Sequence, residues 1–132
     1  MSLTPTSEVA QIVEQAMRAW QAKDRDAYLD CYRPDATLQV GGEEIGCGHD
    51  GVGEFFDHWW KTAPDNRIDL EWVHHADDVV VHEGVFHGTH TDDSGEQPGG
   101  RAFRAPYTEV FVVRDGLIAQ QRLYFDSRHI NP

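Results

Sequence analysis

The chain has 132 residues, with 23 Asp or Glu against 11 Lys or Arg and a formal net charge of −12. That length suits a single domain over residues 1–132 whose core needs no disulfide or metal scaffold. So acidic a surface repels phosphate backbones and anionic lipid, which argues against nucleic acid and membrane partners.

Thr6 to Lys23 is predicted to be an amphipathic helix: Val9, Ile12, Val13, Ala16, Met17 and Trp20 recur at spacings of three and four, behind a cap at Thr6 or Ser7. A shorter helix over Asp26 to Tyr32 presents Tyr28, Leu29 and Tyr32, and Pro34 ends it. Ala36 to Val40 reads as a strand turning at Gly41-Gly42, with Glu43 to Gly46 as its partner. A third helix over Asp50 to Thr62 gathers Phe55, Phe56, Trp59 and Trp60 on one face. From Ile68 onward the pattern has period two: a strand to His75, a turn at Asp77-Asp78, a strand over Val79 to His90, a polar loop, and Phe103 to Arg114. Asp115-Gly116 is a strong hairpin signal, and Ile118 to Asp126 is the last strand. Helices followed by a meander give an α+β fold, with three N-terminal helices packed on a curved antiparallel sheet.

A two-residue loop at Asp115-Gly116 sets the register of the last hairpin. Glu109 then meets Arg122, Tyr107 meets Tyr124 and Ala105 meets Asp126, all on one face, with Leu123 and Phe125 on the other. The bland reading of Glu109 and Arg122 is a cross-strand ion pair in water, worth a few tenths of a kcal/mol. The functional reading is a partly polar pocket under the helices. In the preceding hairpin His74, Glu83 and His87 interrupt an otherwise apolar face, the raw material of acid–base chemistry. The histidines fall in no metal-binding pattern, and no nucleophile elbow or phosphate loop is present.

The segments DRDAYLDCYRPDATLQV, GVGEFF, VFHGTHT and GRAFRAPYTEVFVVRDGLIAQQRLYFD together resemble the SnoaL-like branch of the nuclear transport factor 2-like superfamily, from about Ser7 to Arg128. The resemblance implies a cone-shaped α+β barrel with an internal cavity, and homodimers through the outer sheet surface. It spans polyketide cyclases, ketosteroid isomerases, dehydratases, epoxide hydrolases and non-catalytic proteins, so the site must decide among them. In the cyclases an aspartate ending the last strand, in a Tyr-x-Asp context, is the general acid–base; here YFD places Tyr124 and Asp126 there. Glu109 takes the place of a histidine often found in the preceding strand. The ketosteroid isomerase base would fall at Leu38, Gln39 or Val40, which fits less well.

The expectation is thus a cofactor-free enzyme acting on an apolar, oxygenated small molecule. Asp126, His87 and Tyr124 would be catalytic. Trp20, Phe56, Trp59, Trp60 and Trp72 would form walls, and His74, Glu83, Tyr107, Glu109 and Arg122 would contact substrate. The alternative is a non-catalytic small-molecule-binding or dimerisation module of the same fold. The N-terminus shows no secretory pattern, no apolar run approaches the ~20 residues that cross a bilayer, and Cys31 and Cys47 read as reduced thiols; a cytoplasmic location follows.

Overall fold

The computed structural model describes residues 8–91 and 98–131. Their elements are α1 (Glu8–Gln21), α2 (Arg25–Leu29), β1 (Tyr32–Val40), β2 (Glu43–Cys47), α3 (Gly48–Thr62), β3 (Arg67–Ala76), β4 (Val79–Thr91), β5 (Pro98–Arg114), β6 (Leu117–Phe125) and a 3-10 turn, Ser127–His129. The fold is α+β, as expected. Tyr32 starts β1 rather than ending α2, which Asp24 caps by accepting a 3.1 Å hydrogen bond from the Ala27 amide. Thr6 and Ser7, the expected caps of α1, lie outside the described residues.

The six strands run β2-β1-β6-β5-β4-β3 in one curved sheet that does not close. Every neighbouring pair is antiparallel except β1 and β6, which are parallel. The sheet is therefore mixed, where a wholly antiparallel one was expected. The cause is a crossover: after β2 and α3 the chain restarts at the far edge with β3, and β1 receives its second neighbour only from the last strand. Local hairpin signals cannot show a pairing between strands so distant in sequence.

Periodicity in α1 gives the expected packing. Val13, Ala16 and Trp20 are buried together with Val52, Phe56 and Trp60 of α3 and with Val80, Phe111, Val113 and Ile118 of the sheet. Each large apolar side chain removed from water contributes roughly 1.5–3 kcal/mol.

Two bulges set which residues face the helices. In the β5–β6 hairpin Val113 pairs with Ile118 but Val112 pairs with Gln120, so Ala119 is an extra residue. From there on the strand is out of phase with an uninterrupted hairpin. In the β3–β4 hairpin Trp72 pairs with Glu83 but Leu70 with Gly84, leaving Glu71 as the extra residue. Gly84 suits that site, because a Cβ there would lie 2.5 Å from the Asp69 carbonyl oxygen.

Candidate functional site

A cleft of about 500 Å³, counting the solvent at its mouth, opens between the helices and the concave face of the sheet. Met17 and Trp20 of α1, Phe55 and Trp59 of α3, and Phe86, Leu123 and Phe125 of the sheet give it apolar walls. The Trp59 ring stands edge-on to Phe86 at 5.2 Å and to Phe125 at 6.2 Å. Four lining side chains are polar: Tyr28, Tyr107, Glu109 and Gln121.

The bulge at Ala119 creates this polar set. It turns Gln121, Leu123 and Phe125 inward beside Phe111, Glu109 and Tyr107, their register partners. Glu109 is buried, at 6% exposure, and its carboxyl accepts a hydrogen bond from the Gln121 amide nitrogen. The Gln121 carbonyl oxygen in turn accepts from the Tyr32 hydroxyl, which lies 2.7 Å from that of Tyr28. Tyr32 has one proton to give. With that proton on Gln121, Tyr28 donates to Tyr32, and a continuous chain runs from α2 to Glu109.

Among the described residues no cation pairs with Glu109. Burial raises its pKa from 4.5 to about 7, against the opposing effect of the Gln121 hydrogen bond. Glu109 thus changes charge near neutrality. Tyr107, one inner-face position along β5, has a buried hydroxyl without a hydrogen-bond partner among the described residues. Burial, and the nearby Glu109, push its pKa upward, so it stays a proton donor. His82 of β4 pairs in register with Glu109 on the same face. Its ring is 3% exposed and edge-on to Phe111 at 5.3 Å, with Nδ1 unpartnered among the described residues. Burial lowers its pKa from 6.5 to about 4, so it is neutral at physiological pH.

Of the residues expected here, Trp20, Trp59, Tyr107 and Glu109 line the cleft. Phe56 and Trp60 are buried in the core behind it. The others lie elsewhere. Arg122 is turned from Glu109 by the bulge and donates a 2.8 Å hydrogen bond to Gln120 instead; Tyr124 follows it to the outer face and is 41% exposed. The bulge in β3 separates Ile68, which faces in, from Trp72 and His74. Trp72 is 63% exposed, and His74 forms a 2.9 Å exposed pair with Glu83. His87 lies on the outer face, 2.8 Å from Asp69. Asp126 is not part of the cleft wall. It caps the 3-10 turn by accepting from the Arg128 amide and pairs with the Arg128 guanidinium at 2.7 Å, contacts that hold its pKa well below the usual carboxylate range. The sequence reading missed Gln121, Tyr32, Tyr28 and His82 as members of a polar group. The i, i+4 spacing of the two tyrosines was visible only as an apolar helix face.

Among the described residues no three His, Cys, Asp or Glu side chains come together to hold a metal, and no helix is long and apolar enough to cross a membrane.

A family model described as the SnoaL-like domain matches residues 13–121. No curated protein sequence matches. Among solved structures, an NTF2-like protein of unknown function from Burkholderia pseudomallei K96243 is 19% identical, with a TM-score of 0.80 over 96% of this chain and 100% of that one. A SnoaL-like polyketide cyclase candidate from Jannaschia sp. CCS1 is 18% identical, with a TM-score of 0.82 over 99% of this chain and 94% of that one. IdmH, a polyketide cyclase candidate from Streptomyces antibioticus, is 19% identical, with a TM-score of 0.79 over 95% of this chain and 96% of that one. At such identities the likeness is one of fold.

Proposed function

This chain belongs to the SnoaL-like domain family, and from that premise we propose that it is a cofactor-free acid–base enzyme acting on an apolar, cyclic, enolisable ketone. The observation that carries this reading is a lone buried carboxyl on the wall of an aromatic cleft, poised to exchange a proton near pH 7. The carboxylate of Glu109 takes a proton from the carbon next to the carbonyl. The C–H electron pair becomes the C=C bond of an enolate, and the carbonyl pair moves onto oxygen. Tyr107, whose hydroxyl is uncommitted, donates to that oxygen. Protonated Glu109 then returns its proton to carbon, or to a departing hydroxyl. Trp20, Trp59 and Phe125 suit a flat ring system. The relatives named as cyclase candidates support this class of chemistry without identifying a substrate.

The test begins with a thermal-shift screen of bicyclic ketones such as 2-tetralone. Deuterium incorporation at the α-carbon is then followed by NMR in D2O. The expected result is catalysed exchange with an inflection near neutrality. Ligand binding without exchange would instead make the chain a small-molecule-binding module. In the same assay Asp126→Asn is expected to change the rate by less than about threefold, since its carboxylate is engaged by Arg128 outside the cleft.

We further propose a homodimer through the outer sheet surface. Trp72 is 63% exposed on the outer face of the β3 edge strand, and an exposed tryptophan is the kind of side chain that anchors an interface. Trp72→Asp is expected to weaken self-association by at least roughly tenfold in sedimentation velocity, given the weight of tryptophan at interfaces; an unchanged sedimentation profile would remove this strand from the interface. The two free cysteines are consistent with a reducing cytoplasm.

A further inference from the structure

We propose that Tyr32 is a positioning residue for Glu109: by committing its one hydroxyl proton to the Gln121 carbonyl oxygen, it turns the Gln121 amide so that the NH2 end faces the Glu109 carboxyl. The inference rests on the reading of Glu109 as the acid–base group and identifies what fixes its environment.

A glutamine amide has a donor end and an acceptor end of nearly equal size, so packing alone sets their order weakly. The order matters to the neighbour. An NH2 group stabilises an ionised carboxylate; a carbonyl oxygen can bond only to the protonated acid. Tyr32 is 1% exposed and pairs with Ile118 at the start of β1, which holds its ring in place. With the Tyr32 proton on Gln121, every proton in the chain has an acceptor: Gln121 gives to Glu109, Tyr32 to Gln121, and Tyr28 to the Tyr32 oxygen 2.7 Å away. The reversed order would send the Tyr32 proton to Tyr28. The Tyr28 proton would then lose the Tyr32 oxygen as its acceptor, beside Trp20 and Phe56, whose rings lie 5.3 Å from its own. An unmet buried donor is costly, so the two tyrosines bias the amide from its far end.

No other group facing Glu109 does this work. The hydroxyl of Tyr107, on its own strand, makes no hydrogen bond among the described residues, and His82 on β4 is neutral. On the helical side α1 and α3 bring Met17, Trp20, Phe55 and Trp59 to the cleft, and α2 brings Tyr28.

The test is a carbon-13 NMR titration of the Glu109 side-chain carboxyl in the full chain. Wild-type protein is expected to titrate near neutrality. Tyr32→Phe frees the amide to turn its oxygen toward the protonated acid, and the midpoint should rise by about one pH unit, the scale on which one charge-assisted hydrogen bond acts. Tyr28→Phe leaves Tyr32 donating to Gln121, and the midpoint should stay within about 0.3 units. An unmoved midpoint in Tyr32→Phe, or equal shifts in both variants, overturns the proposal. If Tyr32→Phe does not fold, the wild-type Gln121 amide protons decide. They should move with the Glu109 midpoint, the bonded one lying downfield on the basic side; no movement overturns the proposal. Because these readouts need no turnover, the two readings fail separately. A neutral Glu109 titration without ketone exchange removes the enzymatic reading alone. Exchange with an unmoved Tyr32→Phe midpoint removes the positioning role alone.

Discussion

Glu109→Gln is expected to lower the rate of α-proton exchange by about 10²–10⁴-fold, the range contributed by a positioned general base. The substitution keeps shape and volume and preserves hydrogen bonding toward Gln121, but it removes the one carboxyl among the described residues that lines the cleft and ionises near neutrality. The screened ketone should still bind. An effect confined to kcat would place Glu109 at the proton-transfer step, whereas a rise in KM alone would make it a binding contact. Retention of wild-type exchange by Glu109→Gln would end the acid–base reading, whatever the ligand.

The second large effect is on stability, and the wild-type protein hides it. Glu109 has a folded-state pKa raised from 4.5 to about 7. The folded chain therefore holds a proton that the unfolded chain has released, and this contribution to stability is lost as pH rises from about 4.5 to 7. His82 has a folded-state pKa lowered from 6.5 to about 4. Here the unfolded chain holds the extra proton, so stability is gained as pH rises from about 4 to 6.5. Each displacement corresponds to about 3 kcal/mol, with opposite sign, over nearly the same window. The slopes should largely cancel in wild-type protein. In Glu109→Gln the His82 slope is left alone, and unfolding free energy from urea titrations should climb by about 3 kcal/mol between pH 4 and 6.5. In His82→Leu it should fall by a similar amount between pH 4.5 and 7. Comparing each variant with wild type at each pH removes the surface carboxylates, including Asp126 and Asp69, whose pKa values are lowered rather than raised, and leaves the contribution of the substituted group alone. A pH-independent difference between His82→Leu and wild type would show that His82 is not the buried, neutral group described here.

Much of this fold could be read from the chain. The spacing of Val13, Ala16 and Trp20 gave α1 its buried face, and Asp77-Asp78 and Asp115-Gly116 located the turns of the β3–β4 and β5–β6 hairpins. Glu109 and Tyr107 were placed on the pocket side of β5 by alternation alone. Alternation failed wherever a strand carries an extra residue, because a single insertion transfers every later side chain to the other face. Ala119 accounts for the misplacement of Arg122 and Tyr124 and for the omission of Gln121; Glu71 accounts for Trp72. Neither alanine nor glutamate carries the signature that a glycine bulge would. His82 was passed over because a histidine inside an apolar strand has no local mark of what lies across from it. The Tyr28–Tyr32–Gln121 chain joins three elements, and nothing in one segment reveals its length.

Ala119 has a consequence for how such a protein changes over generations. Its side chain lines no part of the cleft, so substituting it would alter little there. Deleting it is another matter: the strand beyond would lose its extra step, and Arg122 and Tyr124 would trade places with Gln121, Leu123 and Phe125 in one genetic event. The aromatic cleft would acquire a fixed positive charge opposite Glu109 without a point mutation at any lining position. Loss or gain of one codon outside the lining is thus a short route between different chemistries on this scaffold, and relatives aligned without gaps through the last strand would be compared with their inner and outer faces exchanged.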